Sequence, residues 1–261
     1  MTSGSGPLVL ISGASSGIGQ ALAARFARGG YRLALLARRE DALQQWIAAQ
    51  QFDPSRARAW AADVRDLPSL AEASRRCIAE QGLPDVVIAN AGISVGIDTE
   101  DAEDLEVFRA SLETNLLGVA ATFQPFLRGM RERRSGTLVG IASVAGIRGL
   151  PGHGAYCSSK AGVISYCESL RGECRGQGID VVTIVPGYVD TPLTQRNRYS
   201  MPFLMAPDKF ADKAFAAITA GASYRVIPWQ MGVIAKLMRA LPNPLFDRLL
   251  AGRPRKRRRS E

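Results

Sequence analysis

Tyr156 and Lys160 stand four residues apart in the run Tyr156-Cys157-Ser158-Ser159-Lys160. On a helix that spacing puts both side chains on one face, one turn apart. A phenol beside an ammonium can do proton chemistry. The cation favours the phenolate, so a hydroxyl with an ordinary pKa of about 10 can exchange a proton with another oxygen nearer neutrality. Lys160 also carries three donors, enough to hold adjacent sugar hydroxyls. Tyrosine and lysine meet at this spacing by chance on many surface helices, and the pair gains its weight from Ser143. That serine lies thirteen residues upstream, at the end of an apolar β-rich run, and open α/β sheets bind ligands at the carboxyl ends of their strands.

A second constellation lies near the start. The apolar run Leu8 to Ile11 leads into Ser12-Gly13-Ala14-Ser15-Ser16-Gly17-Ile18-Gly19, after which helical periodicity begins. A strand, a glycine turn and a helix N-terminus present backbone N–H groups and a positive dipole end to a pyrophosphate. Glycine is needed where a side chain would block the turn, the ligand or the packing of helix on strand. The next apolar run closes on Ala37-Arg38-Arg39. A carboxylate there would suit ribose hydroxyls, whereas arginine offers a planar fork of donors matched to phosphate oxygens, with Ser15 as a helper.

These residues must be positioned by alternating elements. Strands are predicted at Leu8 to Ile11, Arg32 to Ala37, Ala57 to Ala61, Asp85 to Ala89, Thr137 to Ala142, Asp180 to Val185 and Tyr224 to Ile227. Helices are predicted at Gly17 to Arg28, Ala42 to Gln50, Leu67 to Gln81, Leu105 to Arg131, Tyr156 to Arg175 and Asp208 to Ala220, from apolar residues at three and four spacing. Parallel strands need crossover connections of one hand, so this alternation predicts an α/β fold: a doubly wound parallel sheet of about seven strands with helices on both faces.

The glycine spacing GxxxGxG resembles that of the short-chain dehydrogenase/reductase family, and further matches strengthen the likeness over roughly Pro7 to Leu193. Ala89-Asn90-Ala91-Gly92 is similar to the family's NNAG element, with Ala89 in place of its first Asn. Asp63, followed by Val64, matches the adenine contact, and Pro186-Gly187 with Val189 and Thr191 matches the nicotinamide-side loop. The resemblance implies a Rossmann-like domain that binds NADP(H) through Ser12, Gly13, Ser15, Ser16, Gly17, Ile18, Gly19, Arg38 and Arg39 and through the loops just named. It also implies roles. Tyr156 would be the general acid or base, Ser143 a donor to the carbonyl oxygen and Lys160 the ribose binder. Asn115, in Asn115-Leu116-Leu117-Gly118, would complete a catalytic tetrad by supporting a water next to the lysine; a buried Asn satisfying helix backbone is the weaker alternative. The implied reaction interconverts a carbonyl and a secondary alcohol on an apolar or lipid-like substrate. A reductase of sugar or polyketide-type substrates and a non-catalytic NADP(H) sensor are the alternatives. Ser94, Val144, Leu150, His153 and Tyr188 follow strand ends and are expected to border the substrate, His153 being as readily a plain loop residue. A homodimer or homotetramer through Leu105 to Arg131 and Tyr156 to Arg175 is a further implication.

The 261 residues, 46% hydrophobic and 22% charged, fit an ordinary globular domain. Residues 7–228 form the expected catalytic domain, after a flexible start over 1–6 and with a lid at about 192–207. Four cysteines without CxxC spacing and one histidine assemble no zinc set, so no metal is expected. The start, Met1 to Pro7, has neither a basic nor an apolar signal region, and no run of about 18 apolar residues occurs, so the expectation is cytoplasmic. From Arg225 onward ten Lys or Arg face two acidic residues, so the tail carries +8 of the net +9. Nucleic-acid binding is disfavoured, because positive charge would then cover a folded face. Over 229–252, Met231, Ile234, Met238 and Leu241 follow helical spacing with Lys236 and Arg239 between them, and in the basic tail over 253–261 six of the seven residues from Arg253 to Arg259 are basic. This suits an anionic membrane surface, where the protein would sit peripherally; the other reading packs the apolar stripe on the domain or a partner subunit and leaves the tail solvated.

Overall fold

A computed structural model describes residues 6–195, 197, 199–252 and 254–259. Of the start expected to be flexible only Gly6 is among them, and Arg196, Arg198 and Arg253 of the lid and tail lie outside the described residues.

Seven strands form one parallel sheet: β1 (Leu8–Ser12), β2 (Arg32–Ala37), β3 (Ala57–Ala61), β4 (Val86–Ala89), β5 (Gly136–Ile141), β6 (Ile179–Pro186) and β7 (Tyr224–Ile227). Their order is β3-β2-β1-β4-β5-β6-β7, so the winding reverses between β1 and β4 and opens a crevice at the carboxyl edge there. Runs such as Leu8-Val9-Leu10-Ile11 are apolar throughout because both faces are covered. Leu8 and Leu10 belong to one core, Val9 and Ile11 to the other.

The core of Val9 and Ile11 is closed by α1 (Gly17–Arg28), α2 (Glu40–Ala49) and α7 (Pro207–Thr219), through Leu22, Phe26, Leu43 and Phe210. The other is closed by α3 (Leu67–Gln81), α5 (Gly118–Arg133) and α6 (Gly154–Glu173), through Leu70, Phe123, Phe126 and Val163. Each such fully buried side chain contributes about 2–3 kcal/mol through apolar surface removed from water. The expected doubly wound α/β fold is the observed one.

Three features refine the expectation. The helix predicted over Leu105 to Arg131 is α4 (Asp104–Leu112), then a π-helical turn at Glu113–Leu117, then α5. The wider turn inserts one residue and turns Thr114 and Asn115 inward. The lid is pinned at both ends: Val189 bridges Met205, Asp190 N donates to Met205 O at 2.9 Å and Met205 N to Tyr188 O at 3.0 Å. The tail, finally, is folded onto the domain. It forms α8 (Trp229–Ala240) and α9 (Asn243–Leu250). Arg148 donates to the Arg239 and Leu241 carbonyls at 2.9 and 2.8 Å, ending α8, and lies 3.8 Å from the Phe246 ring centroid of α9. Met231 is buried while Trp229, Val233 and Leu237 face outward. The basic run is only partly solvated: Arg257 and Arg259 are exposed, but other residues of it are held on the domain. Arg255 pairs with Asp98, Arg258 with Asp101 and Asp104, and Lys256 is buried. No helix among the described residues is long and apolar enough to cross a membrane.

Candidate active site

Two cavities meet at the carboxyl edge of the sheet. A groove of about 330 Å3 follows the crevice between β1 and β4, and an apolar cavity of about 690 Å3 lies beside it under the lid and α8. Ser143, Tyr156, Gly187, Leu193 and Thr194 line both, so two of the residues picked for chemistry, Ser143 and Tyr156, stand on the shared wall, while Lys160 lines the groove alone and Asn115 lines neither.

The groove fits a dinucleotide. Gly13 has φ +67°, and a Cβ on it would lie 2.6 Å from the Ala91 Cα; at Gly19 a Cβ would lie 2.3 Å from the Gly13 carbonyl oxygen. Both positions demand glycine for close approach of the turn to its surroundings. Ser16 precedes α1 without capping it, and the first turn of α1 holds no acidic residue, so its N–H groups are open to an anion. Asn90 secures the turn from behind by donating to the Ser12 and Gly13 carbonyls at 3.2 and 3.1 Å. Gly13, Ser15, Ser16, Gly17 and Ile18 line the end at the glycine turn; Arg38, Asp63 and Val64 the end near β2 and β3; and Asn90, Ala91, Gly92, Tyr156, Lys160, Pro186, Gly187, Val189 and Thr191 the remainder. Three expected contacts fall outside this lining. Ser12 is buried and its hydroxyl accepts from Asn90 N at 3.2 Å, Gly19 packs against the turn, and Arg39 sits at the N-cap of α2 while Arg38 alone of the pair faces the groove.

At the shared wall Ser143 stands beside Tyr156, its Oγ accepting from Ala145 N at 3.2 Å. Burial raises the Tyr156 pKa, and the neighbouring Ser143 hydroxyl partly opposes it by favouring the phenolate. Lys160 is buried, donates to the Ile141 carbonyl at 2.8 Å and lies with Nζ 6.0 Å from the Tyr156 ring centroid. Burial lowers its pKa to about 8. Burial, the largest influence on Tyr156, thus raises its pKa, opposite in direction to the depression expected from Lys160, whose ammonium is held on a strand carbonyl. Asn115, wholly buried, accepts from Ile93 N at 2.8 Å and donates to Ile93 O and Ser159 Oγ, each at 2.9 Å. It thus braces the loop after β4 against α6, beside Gly92 and Lys160.

Ser94, Val144, Leu150, His153 and Tyr188 all line the apolar cavity. His153 is no plain loop residue. Its Nδ1 faces the Pro151 carbonyl at 3.3 Å and its Nε2 the Tyr199 hydroxyl at 3.3 Å. A carbonyl only accepts, which assigns the proton to Nδ1, and burial lowers the pKa and keeps the ring neutral.

The sequence matches the short chain dehydrogenase family over residues 7–201. The chain is a short-chain dehydrogenase/reductase. It is 40% identical over 240 residues to an uncharacterized oxidoreductase of Myxococcus xanthus, covering 91% of this chain and 94% of that one. It is 32% identical over 197 residues to an acetoacetyl-CoA reductase of Acinetobacter, covering 73% and 77%. A structure of an actinorhodin polyketide ketoreductase variant with NADPH superposes with a TM-score of 0.77 at 28% identity, over 85% of this chain and 95% of that one. Membership makes this protein a nucleotide-binding oxidoreductase acting on CH–OH and C=O groups.

Sequence reasoning missed part of this reductase's cavity. Tyr199 and Pro202 line it, whereas Met201, Phe203, Leu204 and Met205 do not; Phe203 and Leu204 are exposed. Met231, Ile234 and Met238 of α8 line it too, so the stripe that suited a membrane is mainly a cavity wall. Leu250, Pro254 and Lys256 add the tail. The signal for α8 was the helical spacing itself, which marks an apolar face without saying what it faces.

Proposed function

We propose that this dehydrogenase/reductase is NADP(H)-dependent and interconverts an apolar ketone and its secondary alcohol. The observation that carries the reading is the placing of Ser143 and Tyr156 together on the wall common to a phosphate-suited groove and an apolar cavity. Arg38 would hold the 2′-phosphate, the N–H groups of α1 the pyrophosphate and Lys160 the ribose hydroxyls. When bound, NADP(H) supplies or accepts the hydride. Both hydroxyls of the pair donate to the carbonyl oxygen. Tyr156, kept protonated by its burial, passes its proton to that oxygen in reduction and recovers it in oxidation. Ser143 holds the oxygen in place, and Asn115 keeps the Ile93 loop and α6 in register around Lys160.

The apolar wall of Val144, Leu150, Ile234 and Met238 favours a hydrocarbon-bearing substrate over a sugar. A 3-ketoacyl or polyketide-type ketone is the second reading, supported by the names of the acetoacetyl-CoA and actinorhodin relatives. The test is NADPH oxidation with matched apolar ketones, 3-ketoacyl thioesters and aldoses. Turnover on the first or second class, abolished in Tyr156→Phe with NADPH affinity retained, supports the reading; undiminished turnover in that variant overturns it.

A further inference from the structure

The basic run at the end of the chain is built into the substrate cavity. Pro254 and Lys256 are part of the cavity wall, and the Lys256 ammonium, buried, donates to the Leu193 carbonyl at 3.0 Å and to the Asn197 side-chain oxygen. Leu193 lines both cavities, so this one side chain ties the tail to the lid over the reaction centre.

Both flanks of Lys256 are fastened to the opposite rim. Arg258 Nε donates to Asp104 Oδ2 at 2.8 Å and its other arm pairs with Asp101, while Arg255 lies 3.6 Å from Asp98. Asp104 is buried at the start of α4, where it also accepts from Asp98 N at 2.7 Å, so the cation that compensates this buried carboxylate comes from the tail. The backbone docks as closely as the charges. Gly96 N donates to Arg257 O at 2.8 Å, and a Cβ on Gly96 would lie 2.1 Å from the Lys256 carbonyl oxygen. Gly152 makes room on the other side, where a Cβ would lie 2.9 Å from that of Arg255. Glycine at two separate loops and an acidic rim matched to a basic strand make a seat shaped for this segment.

We propose that residues 254–258 are a specificity-determining strap: they form the outer wall of the substrate cavity, hold the lid through Lys256 and set the largest ketone the site admits. The proposal deepens the ketoreductase reading and, for its turnover arm, rests on it. Releasing the strap removes a wall without touching Ser143, Tyr156 or Lys160, so it changes which substrates fit before it changes how they react.

The experiment compares the full chain with a truncation ending at Gly252, with Gly96→Val and with Lys256→Met. Each is assayed with NADPH on a compact and a bulky apolar ketone, and for binding of the dye bis-ANS. Release is expected to raise KM for the compact ketone about tenfold, to shift the bulky-to-compact ratio of kcat/KM about tenfold towards the bulky one, and to leave NADPH affinity within about threefold. Should the truncated chain not fold, the two point variants carry the same expectation. An unchanged ratio in variants that bind NADPH overturns the strap. Should the full chain reduce no ketone, the ketoreductase reading falls, and the dye decides the strap alone. Tighter dye binding by about fivefold on release then supports an opened cavity, and equal binding refutes it.

Discussion

Ser143 and Tyr156 stand together on the wall that the cofactor groove shares with the apolar cavity. The serine hydroxyl favours the Tyr156 phenolate and opposes burial, so Ser143→Ala removes the one influence that lowers the tyrosine pKa and raises it further. Alcohol oxidation draws on the phenolate. Its acid limb, where the rate rises with pH, is therefore expected to move to higher pH in Ser143→Ala, while ketone reduction falls by about a hundredfold through loss of one donor to the oxygen. A pH–rate profile in the oxidative direction checks the sign, and a limb that stays put or moves to lower pH contradicts the arrangement.

Arg38 and Arg39 are adjacent, yet only the first faces the groove. Arg38→Ala is expected to weaken NADPH binding by about 2 kcal/mol, roughly thirtyfold, as loss of a charge-assisted fork does, and to leave NADH nearly unaffected. Arg39→Ala should change neither by more than about twofold, in line with an exposed cation at a helix start. Fluorescence titration of both cofactors with both variants measures this, and equal losses from the two arginines would refute the assignment.

Asn115 spends its amide on three bonds, to Ile93 N, Ile93 O and Ser159 Oγ. Asn115→Ala strands both backbone groups of a partly buried residue, and each unsatisfied group costs about 1–3 kcal/mol. The expected loss in urea denaturation is about 3 kcal/mol, accompanied by a higher KM for NADPH because Ile93 lines the groove. A loss below about 1 kcal/mol would show that the loop relaxes without the brace.

The residues that act locally were legible in the sequence. β1 reads as apolar throughout because both faces are covered, and the turn after it reads as glycine because Gly13 and Gly19 have no room for a Cβ. Tyr156, Lys160 and Ser143 follow from one helical turn and one strand end. The strap did not follow. Arg258 and Asp104 are 154 residues apart, and no periodicity pairs a basic run with a rim so distant, so the charges read as solvated. The complementary signal was present as Asp98, Glu100, Asp101, Glu103 and Asp104, an acidic stretch beside Gly96. Arg38 and Arg39 could not be separated either, because their difference lies in where the chain turns into α2.

Lys160 offers a test that needs no substrate. Its ordinary pKa of 10.5 falls to about 8 on burial, so between these values the unfolded chain holds a proton that the folded chain lacks. Folding stability contributed by this group consequently rises with pH from about 8 to about 10.5, and below 8 the fold carries the full penalty of a buried ammonium. At about 1.36 kcal/mol per pH unit the penalty is about 3 kcal/mol, reduced by whatever the bond to the Ile141 carbonyl contributes. Lys160→Met, which keeps the volume and removes the charge, should make the cofactor-free protein more stable at pH 7 by about 1–3 kcal/mol and should lose most of that advantage at pH 10. Taking the difference between the two proteins at each pH cancels the opposing titration of buried Cys77, on which Lys160 has no influence. Chemical denaturation at the two pH values measures it. A variant that is less stable at pH 7, or an advantage that grows with pH, would mean that the ammonium is not paying for its burial at the reaction centre.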